Sequence, residues 1–395
     1  MSCIIKSCQV HSALGNPETR EDDINWDTVI NLDHGDPIMY EPYWRKIGNR
    51  CDITLSGYQS LSYFANTKNL CWFLEPKLEE EIKRLHNVIG NVVMDDHYIV
   101  VGNGSSQLIQ AALFALSPPN EPEPISVVSA APFYSGYAEV ADFVRSGLYK
   151  WAGDAHIFAK NGPYIELITS PNNPNGVIRE PVVVNGSQGI LIYDLAYYWP
   201  QYTAITSPAN YDVMLFTVSK CTGHAGSRIG WALIRDKEVA KKMTKFIELN
   251  TIGVSKEAQL RAAKILEVIC DSCLDSTLDN FFEHNQSVMS ERWQRLRQVV
   301  KDSDQFFTLQ KYSSQYCLFK GNFYESHPAF VWLMCKGNED DLEKLLKGHN
   351  ILTRSGKRFG SDSKCVRISM LSREEDFNIF LQRLMVIQQV ITNKN

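Results

Sequence analysis

The sequence predicts an α/β chain, with a mostly parallel sheet covered by helices on both faces and a second, smaller α/β unit after it. Three observations predict this. From Asp95 onward, short apolar runs alternate with turn residues and helical stretches. Several of those runs are apolar at every position, as strands buried on both faces require. Beyond about Lys301 the texture changes to short strand-like runs mixed with helices. The length agrees, because 395 residues exceed one simple core and suit a large domain with a companion.

Taken in order, residues 1–25 are polar and aperiodic and read as a mobile arm, and 26–75 are assigned to the N-terminal part of the smaller domain. The large domain spans 76–300. Its first strand, Tyr98–Val101, is rich in β-branched residues and ends at Gly102-Asn103-Gly104. Ser105–Leu116 reads as a helix with Leu108, Ala112 and Ala115 on one face. Strands are expected at Ile125–Ser129, Tyr164–Thr169, Ile190–Asp194, Val213–Ser219 and Ile229–Ile234. The amphipathic stretches Lys237–Leu249, Glu257–Leu274 and Phe281–Lys301 read as helices. In the C-terminal part, 301–395, strands at Tyr316–Phe319, Ala329–Met334 and Val366–Met370 mix with helices at Asp340–Lys347 and Arg373–Gln389.

Composition excludes several classes. With a net charge of -5 there is no global basic field to attract nucleic acid. The longest apolar runs, Ile190–Tyr193 and Val213–Val218, are strand-sized and far too short to cross a membrane. The ten cysteines follow no repeating spacing. Cys270 and Cys273 form a CxxC, but it lies within a helix and no second pair follows, which favours buried helical thiols over a zinc or redox site. His34, His86, His97 and His224 are dispersed, so no metal is expected. The stretch around Cys3 and Cys8 lacks the basic start and apolar core of a signal peptide. Reduced thiols and a cytoplasmic location are therefore expected.

Ligands of open parallel sheets bind outside the carboxyl ends of the strands, and the unusual residues cluster at such ends. Gly102-Asn103-Gly104-Ser105-Ser106-Gln107 joins a strand to a helix. Its amides and two hydroxyls face the positive end of the helix dipole, so a phosphate is the expected guest. A plain glycine turn with a serine cap explains it equally well when taken alone. Ser170-Pro171-Asn172-Asn173-Pro174-Asn175-Gly176 would hold an amide rigidly at the mouth of the sheet, though turn chemistry accounts for most of its composition. Asp194, with Tyr197 three residues on, puts a carboxylate and a phenol at one strand end; helix capping is the commoner reason for such an aspartate. Lys220 ends an apolar strand, small residues follow it, and Arg228 opens the next strand. A lysine so placed loses hydration, which lowers its pKa and suits Schiff-base chemistry. The order of these four elements persuades more than any one of them.

This series resembles the fold-type I PLP-dependent transferases, and more narrowly the alliinase and tryptophan-aminotransferase branch of plants. The narrower match is carried by Asn31-Leu32-Asp33-His34-Gly35-Asp36-Pro37, Leu70-Cys71-Trp72-Phe73-Leu74-Glu75-Pro76, the asparagine turn, Asp194–Pro200 and Gly223–Trp231. The resemblance implies pyridoxal 5'-phosphate as cofactor, held by Lys220 as a Schiff base. Asp194 would pair with the ring nitrogen, while Asn173 and Tyr197 would bond the ring hydroxyl oxygen. Ser105, Ser106, Thr217 and Arg228 would hold the phosphate, with Ser219 nearby. Tyr63 would reach the phosphate of a neighbouring subunit, which implies a homodimer with shared active sites. Arg367 would clamp the substrate α-carboxylate, helped by the backbone of Gly35. Phe133, Tyr134, Tyr197 and Trp231 are candidates for an aromatic pocket.

The reaction so implied moves the amino group of L-tryptophan, or of another aromatic L-amino acid or alanine, to pyruvate. The product, indole-3-pyruvate, leads toward auxin. Two alternatives stand beside it. One is a carbon–sulfur lyase acting by β-elimination, as in alliinase; the other is a catalytically silent relative that only binds partners.

Overall fold

The computed structural model describes residues 26–119, 121–183, 189–301, 306–336 and 340–392. The arm expected at 1–25 lies outside the described residues. The large sheet has seven strands, ordered Tyr98–Gly102, Gly230–Ile234, Val213–Thr217, Gly189–Asp194, Tyr164–Thr169, Ile125–Ser129 and Tyr149–Asp154. Gly230–Ile234 runs antiparallel to both neighbours and every other pairing is parallel. Six strands therefore point the same way and deliver their carboxyl ends to one edge. Helices Gly104–Leu116 and Lys237–Thr251 pack on each other, as do Pro76–Ile89 and Lys256–Leu274.

The central strands are buried at nearly every position, as their unbroken apolar runs require. Within the large sheet the sequence reading missed one strand, Tyr149–Asp154. It lies at the sheet edge and is half-exposed, so its residues are not uniformly apolar. A second departure matters more. The strand expected at Val213–Ser219 stops at Thr217, where the hydroxyl accepts the Ser219 N–H at 3.2 Å. That cap turns Val218–Cys221 into one helical turn, so Lys220 stands on the turn and not on the strand.

Beyond the large sheet, four antiparallel strands are ordered Arg354–Ser355, Cys365–Ser369, Phe330–Cys335 and Phe307–Leu309. The strand expected at Tyr316–Phe319 is instead Ser314–Cys317, which pairs only with Asn322–Glu325 in a separate hairpin. Ile30–Asn31 pairs in parallel with Ile351–Leu352, and the Ser369 N–H donates to Leu32 O. The segment leading to Gly35 thus lies beside the C-terminal strands. Buried Arg292, on the helix Phe281–Lys301, donates to Met370 O and Ser372 O and pairs with Glu374 at 2.9 Å. This ties the last long helix of the large unit to the C-terminal one. Among the described residues no helix is long and apolar enough to cross a membrane.

Candidate active site

The carboxyl edge of the large sheet and the four-stranded sheet together enclose a cavity of about 320 Å³. Strand ends supply Thr169, Asp194 and Thr217 to it, and the helical turn adds Ser219 and Lys220. Lys220 Nζ donates to the carbonyl of Gly35. Burial depresses its ammonium to about 8, and the nearby Arg367 and Arg228 cations push the same way against the pull of Asp36. A pKa of about 8 makes the free, nucleophilic amine far more abundant near neutral pH than for an ordinary lysine.

Asp194 is buried, and desolvation raises its carboxyl to about 6. Two donors partly offset that, the Tyr137 hydroxyl at 3.0 Å and the Ala196 N–H at 3.2 Å. Since the tyrosine proton goes to the carboxylate, the Thr169 hydroxyl donates to Tyr137 over 2.5 Å. Neither donor carries a charge, so this carboxylate faces the cavity without a cationic hydrogen-bond partner among the described residues.

Ser105 and Ser106 occupy the first turn of the helix Gly104–Leu116. Gly104 has φ +78, and a Cβ there would sit 2.4 Å from Arg228 Nη2. Only glycine lets the guanidinium lie against the start of this helix. Arg228, itself at φ +55, is aimed by a bond from Nη1 to Ala225 O at 2.9 Å. The Thr217 hydroxyl donates to Ser219 Oγ at 3.0 Å. Hydroxyls, a helix N-terminus and an arginine converge on one corner, which is a cradle for an anion.

The opposite wall carries Arg367. It donates through Nη1 to Asn173 Oδ1 at 3.1 Å and through Nη2 to Asp33 O. Its Nε has no hydrogen-bond partner among the described residues. The guanidinium stacks 4.2 Å from the Phe330 ring centroid, and burial lowers its pKa to about 10. Tyr197 lines the cavity edge-on to Phe330, its phenol raised by burial, and Tyr134 and Gly35 complete the lining named in advance.

Three residues lie elsewhere. Tyr63 is 72% exposed and outside the cavity of its own chain. Trp231, one of the aromatic-pocket candidates, is buried in the core with its indole N–H on His86 Nε2 at 3.0 Å. Its register opposite Phe216 points it away from the cavity. Phe133 packs on Trp151 and against Gly360. Cys270 and Cys273 are free thiols within the helix Lys256–Leu274.

Sequence reading missed Tyr137, Thr169, Arg354 and Phe330. No motif marks them; each is one polar or aromatic residue in an ordinary strand or helix, placed only by tertiary contact. Asp33 and His34 stood inside a quoted motif without a role. His34 lines the cavity and Asp33 bonds both arginines of the far wall.

The solved structures that this chain resembles include an aspartate aminotransferase from Thermotoga maritima, with TM-score 0.62, 20% identity and 92% of each chain covered. The Thermus thermophilus aspartate aminotransferase with maleate aligns with TM-score 0.64 at 16% identity over 91% of each chain. These establish the fold, that of the fold-type I aminotransferases. Among curated proteins, tryptophan aminotransferase-related protein 2 of Arabidopsis thaliana is 55% identical, covering 96% of this chain and 86% of that one. Tryptophan aminotransferase-related protein 1 of Oryza sativa subsp. japonica is 51% identical over 93% and 85%. An alliin lyase of Allium cepa is 35% identical over 89% and 75%. The family model described as allinase matches residues 30–388, which takes in both walls of the cavity. On that match and on relatives at this identity, the chain belongs to the allinase family.

Proposed function

We propose that this chain is a PLP-dependent aminotransferase that moves the amino group of L-tryptophan to pyruvate, yielding indole-3-pyruvate and L-alanine. Other aromatic L-amino acids and alanine would be further donors, and the product would feed auxin synthesis. The observation that carries the reading is the pairing within one cavity of a half-buried amine with its pKa lowered to about 8 and a buried carboxyl raised to about 6. The names of the relatives above, tryptophan aminotransferase-related proteins, support the choice of substrate.

The residues fit the cofactor. Asp194 is a buried carboxylate bonded only by neutral donors, and a protonated pyridine nitrogen would supply its missing cation. The Gly104 cradle, where a Cβ would strike Arg228, suits a phosphate. When bound, pyridoxal phosphate supplies an electron sink for the electrons left at Cα. Lys220 Nζ would hold the cofactor, and the same amine is placed to carry the Cα proton of the substrate. Ser105, Ser106, Thr217 and Arg228 bind the phosphate, with Ser219 bracing Thr217. Asn173 and Tyr197, which line the cavity, would bond the ring hydroxyl oxygen. Arg367 orients the α-carboxylate through its paired N–H groups, with Gly35 beside it.

Tyr63 would complete the phosphate site of a second copy. The exposed apolar run Tyr58, Leu61, Tyr63 and Phe64 supports such a homodimer, since large apolar residues clustered on a surface favour a partner. A cytoplasmic location belongs to the same reading.

The test is a panel of L-amino acids with pyruvate, scored for 2-oxo acid and for free ammonia. Formation of 2-oxo acid together with alanine is expected. Ammonia release from S-alkyl cysteine sulfoxides would assign the carbon–sulfur lyase instead. A colourless chain that borohydride cannot label would assign the silent binding role.

A further inference from the structure

The cavity holds one cation that the proposed reaction leaves unused. Its lining carries four: Lys220, Arg228, Arg354 and Arg367. On the reading above, the first two engage the cofactor and Arg367 engages the α-carboxylate. Arg354 stands directly across the sheet from Arg367, its Cα partner in the antiparallel pair. A second guanidinium there would ordinarily welcome a second carboxylate, such as the side chain of glutamate or the distal group of 2-oxoglutarate.

Asp33 closes that opportunity. Its carboxylate accepts from Arg354 Nε, and both side chains are largely enclosed, 23% and 17% exposed. Ser135 Oγ takes Nη1 of the same arginine at 3.1 Å. The backbone carbonyl of Asp33 accepts Arg367 Nη2, so one residue spans both guanidiniums, by side chain on one and main chain on the other. A second carboxylate entering here would have to break the Asp33–Arg354 pair and sit beside the Asp33 charge in a partly dehydrated space. A neutral side chain meets neither penalty.

We propose that the Asp33–Arg354 pair is a charge filter that selects amino acids and 2-oxo acids with uncharged side chains over dicarboxylic ones. The inference rests on the proposed aminotransferase reading and assigns its substrate class. Specificity here comes from an occupied cation, a repulsive element and not an added contact.

The test uses the holoenzyme and compares kcat/KM for L-glutamate with that for L-alanine, each with phenylpyruvate as acceptor so that both transfers give a net product. Asp33→Asn keeps the main-chain carbonyl that Arg367 uses and removes the charge. It should raise the glutamate-to-alanine ratio by about tenfold or more, the size of one charge-assisted hydrogen bond gained. Arg354→Gln should move the ratio the opposite way, because it leaves the Asp33 charge uncompensated. Titration calorimetry with glutarate and butyrate gives the same comparison without turnover, and Asp33→Asn should tighten glutarate alone. A ratio unmoved in Asp33→Asn, or raised in Arg354→Gln, overturns the filter. A lowered melting temperature with an unchanged ratio would show the pair to be a structural tie, which also overturns it. Failure of the aminotransferase reading looks different, since the unaltered holoenzyme would then transfer no amino group from any donor to a 2-oxo acid acceptor.

Discussion

The two walls of the cavity are built on opposite principles. The large-sheet wall is assembled by topology: parallel strands end at one edge, and Thr169, Asp194, Thr217 and the Lys220 turn follow from that. Each functional residue there sits within a few positions of a strand end. The far wall is assembled across the chain. Arg354 and Arg367 come from antiparallel strands near the C-terminus, whereas Asp33 and Gly35 come from near the start of the described chain. On the proposed reading, chemistry resides on the wall that local sequence can position, and selection of substrate on the wall that needs long-range closure.

If that division holds, substitutions on the two walls fail in different ways. The largest effect is expected from Lys220→Ala, which removes the only amine of the sheet wall. Turnover should fall by about 10²–10⁴-fold or more. Borohydride labelling should vanish while the circular dichroism spectrum stays native; turnover near that of the parent would refute the assignment.

A second effect follows from Asp194. Its carboxyl is held at about 6 when folded, against 3.8 when unfolded. Between those values the folded chain binds the proton more tightly, so the cofactor-free protein should lose stability as pH rises from about 4 to 6. The loss is at most about 3 kcal/mol, from 1.36 kcal/mol per pKa unit. Lys220 has the opposite sense. Its pKa is about 8 folded and 10.5 unfolded, so the unfolded chain binds the proton more tightly and stability should rise with pH through that window. Melting temperatures of the cofactor-free protein against Asp194→Asn would check the acid limb. A slope from pH 4 to 6 that survives in the variant would assign it to other groups.

The smallest effect belongs to the far wall. Arg367→Gln should raise KM for the amino acid about tenfold to a hundredfold, with a lesser fall in kcat, as expected for loss of a charged hydrogen-bond pair. Steady-state kinetics with L-tryptophan reads this directly. A pure kcat defect with unchanged KM would place Arg367 on the chemical wall after all.

Legibility in the sequence followed the same division. The central strands Ile125–Ser129 and Tyr164–Thr169 were read to the residue, because burial on both faces leaves an unbroken apolar run. The edge strand Tyr149–Asp154 was missed because one exposed flank removes that signal. Ser105 and Ser106 were singled out from a glycine-rich turn beside a strand end, where sequence neighbours are also neighbours in space, whereas the phosphate role of Arg228 came from the family resemblance. Trp231 was offered for the pocket because composition carries no direction; the strand register sends it to His86 instead. Tyr137 was invisible, since a tyrosine on a short helix becomes a partner of Asp194 only when that helix packs over the strand end.

By itself the sequence determined the α/β class, the run of parallel strands, and which residues stand at their carboxyl ends. Hydrophobic periodicity and turn chemistry are local, so they are written within windows of a few residues. Tertiary structure alone decided that the Lys220 amine meets the Gly35 carbonyl, that Asp194 is left without a cationic partner among the described residues, and that Asp33 holds both arginines. Those facts are distances between groups far apart in the chain, and desolvation and charge pairing act only once the fold has brought such groups together.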